Sequence, residues 1–358
     1  MSEQRTGKVT AEIFEQVILR RLGARDPDVM VGPAHGVDVG VVRVAPGTAM
    51  ALTSDPVFIV PAYGWQRAAW FAVHILASDA ATSGLPLRWM AVDLNLPPAI
   101  TDDELAVLWD AFSRACDDLG IAVITGHTAR YDGCNWPMAG GATCMALGPE
   151  NGFVTPAMAR PGDRVVVTKG AAIEATALFA ATFPDRLAAA VGADAAQAAG
   201  ALFEQMTVVP ECRVAARFGL REEGVTCMHD ATEGGVFAGL AEIAAASNTG
   251  LRIDLDAIPL RPEARAVCGH VGIDPYTSIS EGTLIATVAA DRADAFLAAL
   301  AADGIDAAAV GEVMEPSHGT ILVTSQGEQP LKHPGLDPFW QAFGRWAKEA
   351  APLSRLDQ

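Results

Sequence analysis

The chain is poor in positive charge. It has 25 Lys and Arg against 43 Asp and Glu, a formal net charge of −18 over 358 residues. That balance excludes an extended nucleic-acid surface or an anionic-membrane surface, both of which need clustered cations. A phosphate ligand stays possible, because backbone amides and metal ions hold phosphates without side-chain cations. No apolar run reaches the ~20 residues of a membrane span. The opening Met1-Ser2-Glu3-Gln4-Arg5-Thr6 lacks the apolar core of a signal peptide, so a cytoplasmic protein is expected. None of the six cysteines forms a Cys-x-x-Cys pair, which removes a zinc knuckle and a redox dithiol. Neither a P-loop nor a dinucleotide fingerprint occurs: Thr168-Lys169-Gly170-Ala171-Ala172-Ile173-Glu174 links a strand to a helix but has the spacing of neither.

What is present is apolar sequence, 51% of residues, enough for a sizeable core and two domains. Thr10 to Leu22 reads as an amphipathic helix with Ile13, Val17, Ile18 and Leu22 on one side. Strands follow at Val41 to Val44 and Ala49 to Val60, a helix at Gln66 to Ser83 and a strand at Arg88 to Leu96. Thr101-Asp102-Asp103-Glu104 is a capping box that opens a helix stopped by Gly120. Ile121 to Thr125 reads as a short buried strand and Ala139 to Leu147 holds another. Beyond a boundary near Met158 to Asp163, a strand at Arg164 to Thr168 begins a second half. A long alanine-rich helical region, Pro184 to Phe218, is expected to break at Pro210. Further strands and helices alternate to Val323, and a tail helix with Trp340 and Trp346 packs on the body. The expected division is 1–157, 158–330 and a helical tail at 331–358.

The informative stretch is His229-Asp230-Ala231-Thr232-Glu233-Gly234-Gly235. An apolar strand enters it and a helical run leaves it, so an acid and two glycines sit at a helix N-terminus that can receive an anion. Alone it reads equally as a capped turn. In the first half, Asp38, Asp55 and Asp79 lie among small and apolar residues, where an aspartate is costly to bury unless paired or metal-bound. Mg²⁺ suits such a set, since it takes a few carboxylates plus substrate phosphates. Gly126-His127-Thr128 follows an apolar strand, and His127 is a candidate for phosphate or metal contact or for general-base chemistry. Lys169 and Gly170 are candidates for covering a triphosphate, and Arg130, Tyr131, Asp132 and Trp136 for touching substrate.

In this order the residues resemble the superfamily related to aminoimidazole ribonucleotide synthetase, the PurM-like proteins, which includes thiamine monophosphate kinase, selenophosphate synthetase and the hydrogenase maturation factor HypE. Gly36-Val37-Asp38-Val39-Gly40 stands for a Gly-Asp-Asp-Ala-Ala type segment and Thr53-Ser54-Asp55 for Thr-Thr-Asp. Ser78-Asp79-Ala80-Ala81-Thr82-Ser83-Gly84-Leu85-Pro86 resembles the family's Asp-containing helix end, and Gly126-His127-Thr128 its Gly-Asp/Glu-Thr. Asp230 to Gly235 is similar to HypE's Arg-Asp-x-Thr-Arg-Gly-Gly, and Ser280-Glu281-Gly282 to its Asn-Glu-Gly.

The resemblance implies an α+β fold of two α/β halves, with the N-terminal halves pairing in a homodimer and ATP lying across it. Asp38, Asp55, Asp79, Gly126, Thr128, Lys169, Gly170, Thr232, Gly234 and Gly235 would then hold nucleotide. Asp38, Asp55, Asp79 and Asp230 would hold Mg²⁺, and His127 and Asp230 would be catalytic. The implied chemistry is ATP-driven phosphorylation of an amide, carbonyl or phosphate oxygen of a small molecule, with dehydration or ring closure able to follow. Two departures stand out: Val37 replaces the first acid of Gly-Asp-Asp, and His127 the acid of Gly-Asp-Thr. The chain closes with Ser354-Arg355-Leu356-Asp357-Gln358 and has no cysteine after Cys268, unlike the Pro-Arg-Ile-Cys tail of HypE. Alternatives are a degenerate nucleotide-binding maturation partner and a thiamine monophosphate kinase-like activity.

Overall fold

Thr101 makes the capping box its sequence promises: its Oγ1 accepts from the Glu104 amide, and Glu104 Oε2 accepts from the Thr101 amide. The computed structural model describes Val9 and residues 11–350; residues 1–8, Thr10 and residues 351–358, which include the opening six residues and the closing Ser354 to Gln358, lie outside it. The first half runs α1 (Ala11–Ile13), β1 (Val29–Val31), β2 (Gly40–Ala45), β3 (Thr48–Phe58), α2 (Trp65–Thr82), β4 (Leu87–Leu96), α3 (Asp102–Leu119), β5 (Ala122–Arg130) and β6 (Met138–Pro149). The second half opens with β7 (Arg164–Thr168), α4 (Ile173–Thr182), α5 (Pro184–Val191), α6 (Ala193–Gly200), α7 (Val209–Phe218), β8 (Val225–Asp230) and α8 (Gly235–Ser247). It continues with β9 (Gly250–Asp254), α9 (Pro262–Val271), β10 (Leu284–Val288), α10 (Ala293–Ala302), β11 (Ala307–Met314), β12 (Thr320–Thr324), β13 (Gly327–Pro330) and α11 (Pro338–Ala350).

Each half builds one mixed sheet. The six-stranded sheet is ordered β1-β2-β3-β6-β4-β5 and the seven-stranded sheet β13-β12-β9-β11-β7-β10-β8. This is the α+β architecture expected from the alternating pattern. β8 and β10 are buried along their whole length, which is why they read as continuous apolar runs. Helix α2 touches β3 and β6 of the first half and β8 and α7 of the second. Its alanines, Ala68, Ala69, Ala72, Ala77 and Ala80, are fully buried and let both halves approach closely. One hydrophobic cluster therefore runs from Val57 and Met90 through α2 to Met228 and Leu284.

Three local expectations need correction. Thr128 and His127 lie within β5, which extends to Arg130, and not in a loop behind a short strand. β5 is an edge strand, and its apolar Val123 and Ile124 are exposed and not buried. The region from Pro184 to Phe218 breaks before Pro210: that residue lies in the first turn of α7, second after Val209, where a missing N–H costs nothing. The amphipathic N-terminal helix is reduced, from residue 11 to 21, to short α, π and 3₁₀ turns that bury no side chain, so Ile13, Val17, Ile18 and Leu22 stay exposed.

In the tail helix α11, Phe339 and Trp346 are buried while Trp340 stays exposed. Phe339 packs edge-on against Phe179 at 5.4 Å, and Trp346 against the same ring at 5.3 Å. Phe339→Ala should destabilise the chain by about 3–5 kcal/mol, the usual cost of a cavity at a buried aromatic. Urea unfolding of the variant and the wild-type chain measures this directly.

Candidate functional site

The site forms where the C-terminal end of α2 meets the end of β8. β8 delivers His229 and Asp230, and its pairing with β10 sets Leu284 opposite Asp230. The turn before β10 therefore lies beside Asp230, and the Ala231 amide donates to Thr283 O at 3.0 Å. That turn carries Glu281, whose amide donates to Glu174 Oε2, at the start of α4, at 3.1 Å. From the first half, β3 supplies Asp55, α2 supplies Asp79, and the segment before β2 supplies Asp38.

These carboxyls face one another. Asp55 meets Asp79 side chain to side chain, and Thr53 Oγ1 donates to Asp79 Oδ2 at 3.2 Å. Loss of water, then Asp38, Asp55 and Asp230, holds the Asp79 carboxyl well above its usual range. Asp230 meets Glu281 in the same way. Burial raises Asp230 to about 7 against the lowering contact with Glu281, with Asp38 adding to the rise; burial, then Asp230, raise Glu281 well above its usual range. Asp230 is 1% and Glu281 2% exposed, yet both Asp230 oxygens and Glu281 Oε1 lack a hydrogen-bond partner. Two buried carboxyls in contact must share a proton or a cation.

Few cations are near. Lys169 is buried and spent on Glu211 Oε1 at 2.7 Å and on the carbonyls of Gln205 and Thr207. His229 bridges Asp38 and Glu242. Burial alone would lower its pKa, but the two carboxylates outweigh that and hold it well above the ordinary range.

The glycine loops are more occupied than their sequence suggests. The Gly234 amide donates to Asp337 Oδ2 at 2.7 Å, so the anion at this helix start is a carboxylate of the chain's own tail. Gly235 must be glycine, because a Cβ there would stand 2.5 Å from Ser278 O at φ +60°. The Gly235 amide donates to Thr232 O, and the Thr232 amide to Asp230 O, which closes the turn. The Gly170 and Ala171 amides are likewise used internally, on Thr168 O and Pro259 O.

His127 is not brought to the carboxyls within one chain. Asp55 pairs with Ala142, Ala142 with Val92, and Val92 with Gly126. Three strand spacings of ~4.8 Å put β5 roughly 14 Å from Asp55. Gly126 is glycine because its Cβ would run into Val92 O of β4. His127 Nε2 is 2.8 Å from Tyr131 Oη, and Thr128 lines a surface cavity of about 440 Å³ with Leu105 and Trp109. Arg130 pairs with Asp102, and Trp136 packs on Trp65; Asp132 follows in the turn after β5.

Sequence reasoning passed over Glu281, His229 and Glu174 as site residues. The signal was available for Glu281, a charged residue three positions before the buried strand β10. It was absent for Glu174 and His229, whose roles depend on packing between distant segments.

Among the described residues, no group of three or more His, Cys, Asp and Glu side chains stands ready to hold a metal ion by itself. The donors are carboxylate oxygens in touching pairs, Asp55 with Asp79 and Asp230 with Glu281. Such a set fits a hard cation that takes one or two carboxylates and finds its other ligands on a substrate.

Two domain models of one family match the chain in order: AIR synthase related protein, N-terminal domain, over residues 36–146, and its C-terminal domain over residues 160–324. The chain belongs to the AIR synthase related proteins. It is 29% identical over 291 residues to the carbamoyl dehydratase HypE of Rhizobium leguminosarum bv. viciae, covering 79% of each chain. The crystal structure of E. coli HypE superposes with a TM-score of 0.66 at 26% identity, over 81% of this chain and 87% of that one. A thiamine monophosphate kinase of Aquifex aeolicus complexed with AMPPCP and TMP gives 0.64 at 19% identity, over 81% and 88%. HypE in complex with ATP gives 0.59 at 20% identity, over 93% and 97%. The PurM-like resemblance is thereby confirmed. No helix among the described residues is long and apolar enough to cross a membrane.

The raised carboxyls make a prediction with a definite sign. A folded-state pKa above the unfolded one contributes stability that is present below the ordinary carboxyl range and is lost as pH rises through the folded value. For Asp230 that window runs from about 4 to about 7. Without added metal, Asp230→Asn should therefore melt above the wild-type chain at pH 8, with the gap closing toward pH 4. Thermal unfolding across this pH range measures it.

Proposed function

We propose that the chain is an ATP- and Mg²⁺-dependent enzyme that phosphorylates an oxygen of a small molecule. The observation that carries this reading is the meeting of Asp38, Asp55 and Asp79 with Asp230 and Glu281, where buried carboxyl oxygens stand without partners. A carboxyl cluster of this kind is unfavourable until a cation enters it, and a nucleotide–metal complex supplies one. The relatives support the nucleotide: one solved neighbour holds ATP, and the curated relative is named a carbamoyl dehydratase.

Asp38, Asp55, Asp79 and Asp230 would hold Mg²⁺, which when bound neutralises charge on the phosphates. The chain's own residues then position and exclude. Transfer of a phosphoryl group depends chiefly on such positioning and electrostatics. Burial of Asp230 and Glu281 keeps water from the acceptor side. Burial, and then Asp230, hold the Glu281 carboxyl above its usual range. Where the acceptor is an amide or carbonyl oxygen, its phosphorylated form leaves carbon as phosphate, so net loss of water or ring closure can follow; a phosphate acceptor would simply keep the transferred group. The acceptor is an amide, carbonyl or phosphate oxygen.

The site is completed across a homodimer. β5 exposes Val123 and Ile124 on an edge strand, with Trp109, Met138 and Tyr131 also exposed in the first half. A second copy covering this edge removes the liability of an open strand. Pairing there is also the route by which His127, Gly126 and Thr128 reach a nucleotide that Asp55 of the same chain holds too far away. Residues 1–157 form the nucleotide and dimer domain in this reading, 158–330 the second domain and 331–358 the tail.

Asp38→Asn and Asp79→Asn should each lower ATP turnover by on the order of a hundredfold or more while the chain stays folded. ADP release, screened over amide, carboxylate and phosphate acceptors, measures it; unchanged turnover in both variants defeats the proposal. Ile124→Asp should shift the chain from dimer to monomer in sedimentation equilibrium.

A further inference from the structure

Asp38 sits in a segment without regular structure, two residues before β2; the neighbouring Val39 is buried in the first half's core, but the contacts of the Asp38 carboxyl come from the second half. Gly36, at φ +70°, lies so close to α8 that a Cβ would stand 2.6 Å from Glu242 Cβ. His229 Nδ1 is 2.8 Å from Asp38 Oδ2, and His229 Nε2 is 2.9 Å from Glu242 Oε2. The His229 side chain is 4% exposed, against 12% for Asp38 and 19% for Glu242. Glu242 is also approached by His333 at 3.5 Å and by His35 at 4.0 Å. Three segments far apart in sequence thus converge on one residue of α8.

We infer that His229, backed by Glu242, is a positioning residue that sets Asp38 for the cation of the metal–nucleotide site. This rests on the function proposed above. The physical reason is the shape of imidazole, whose two nitrogens point in different directions. With one carboxylate on each, the ring cannot turn, and Asp38 is held by Oδ2 while Oδ1 is left for a ligand. An aspartate on an irregular segment would otherwise lose rotamer freedom only when the cation arrives, and would bind it more weakly. The bond also couples the halves: Asp38 is correctly placed only when its segment is docked on β8 and α8.

The test uses the full chain and its His229→Gln and Glu242→Gln variants. Calorimetry with ATP is run once with Mg²⁺ and once with a chelator. Removal of a partner that orients a metal ligand typically costs roughly 10–100-fold in affinity. The expected result is a rise of that size in the Kd with Mg²⁺, a far smaller change without it, and faster hydrogen exchange at residues 36–40 with β7 and β10 still protected. A role in general stability alone would lower Tm and weaken both titrations equally, which overturns the inference. So does unchanged exchange at residues 36–40 in both variants. Absence of Mg²⁺-dependent ATP binding by the wild-type chain overturns the proposed function itself. Normal wild-type binding that neither variant alters overturns only the role of His229.

Discussion

Like charges held together out of water are the constraint on which this structure turns. Asp79 near the end of α2 and Asp230 at the end of β8 are brought into one neighbourhood by the core that α2 shares with both sheets. Hydrophobic burial along α2 is large and continuous, whereas the repulsion it enforces is local. The core therefore wins, and the strain is left at one place as unpartnered oxygens and raised carboxyl pKa values.

The surroundings answer this constraint unequally. His229 supplies one positive charge, but divides it between Asp38 and Glu242. Lys169 supplies another, but directs it to Glu211 and two carbonyls. Neither satisfies Asp230 or Glu281. The tail contributes a further carboxylate, Asp337, to the Gly234 amide, so the helix start closest to the cluster already has its anion. The balance of ionisable side chains at the centre remains acidic.

Much of the fold was legible along the chain because its signals are local. The capping box at Thr101, the alanine-rich helix around Asp79 and the apolar strand into Asp230 each depend on residues a few positions apart. The acids Asp38, Asp55, Asp79 and Asp230 were also legible, since an aspartate amid small and apolar residues is conspicuous. β5 was misread for an equally physical reason. Its Val123 and Ile124 give this exposed edge strand the same apolar composition as a buried one.

By itself, then, the sequence determined the α+β class, the two halves, the family and the acids of the first half together with Asp230. Periodicity, capping and ordered motifs are properties of neighbouring residues. Only the tertiary structure decided that Asp230 faces Glu281, that His229 bridges Asp38 and Glu242, and that Asp337 takes the Gly234 amide. It also placed His127 three strands from Asp55. Each of these depends on which faces of distant segments the shared core brings together, and no local pattern encodes that.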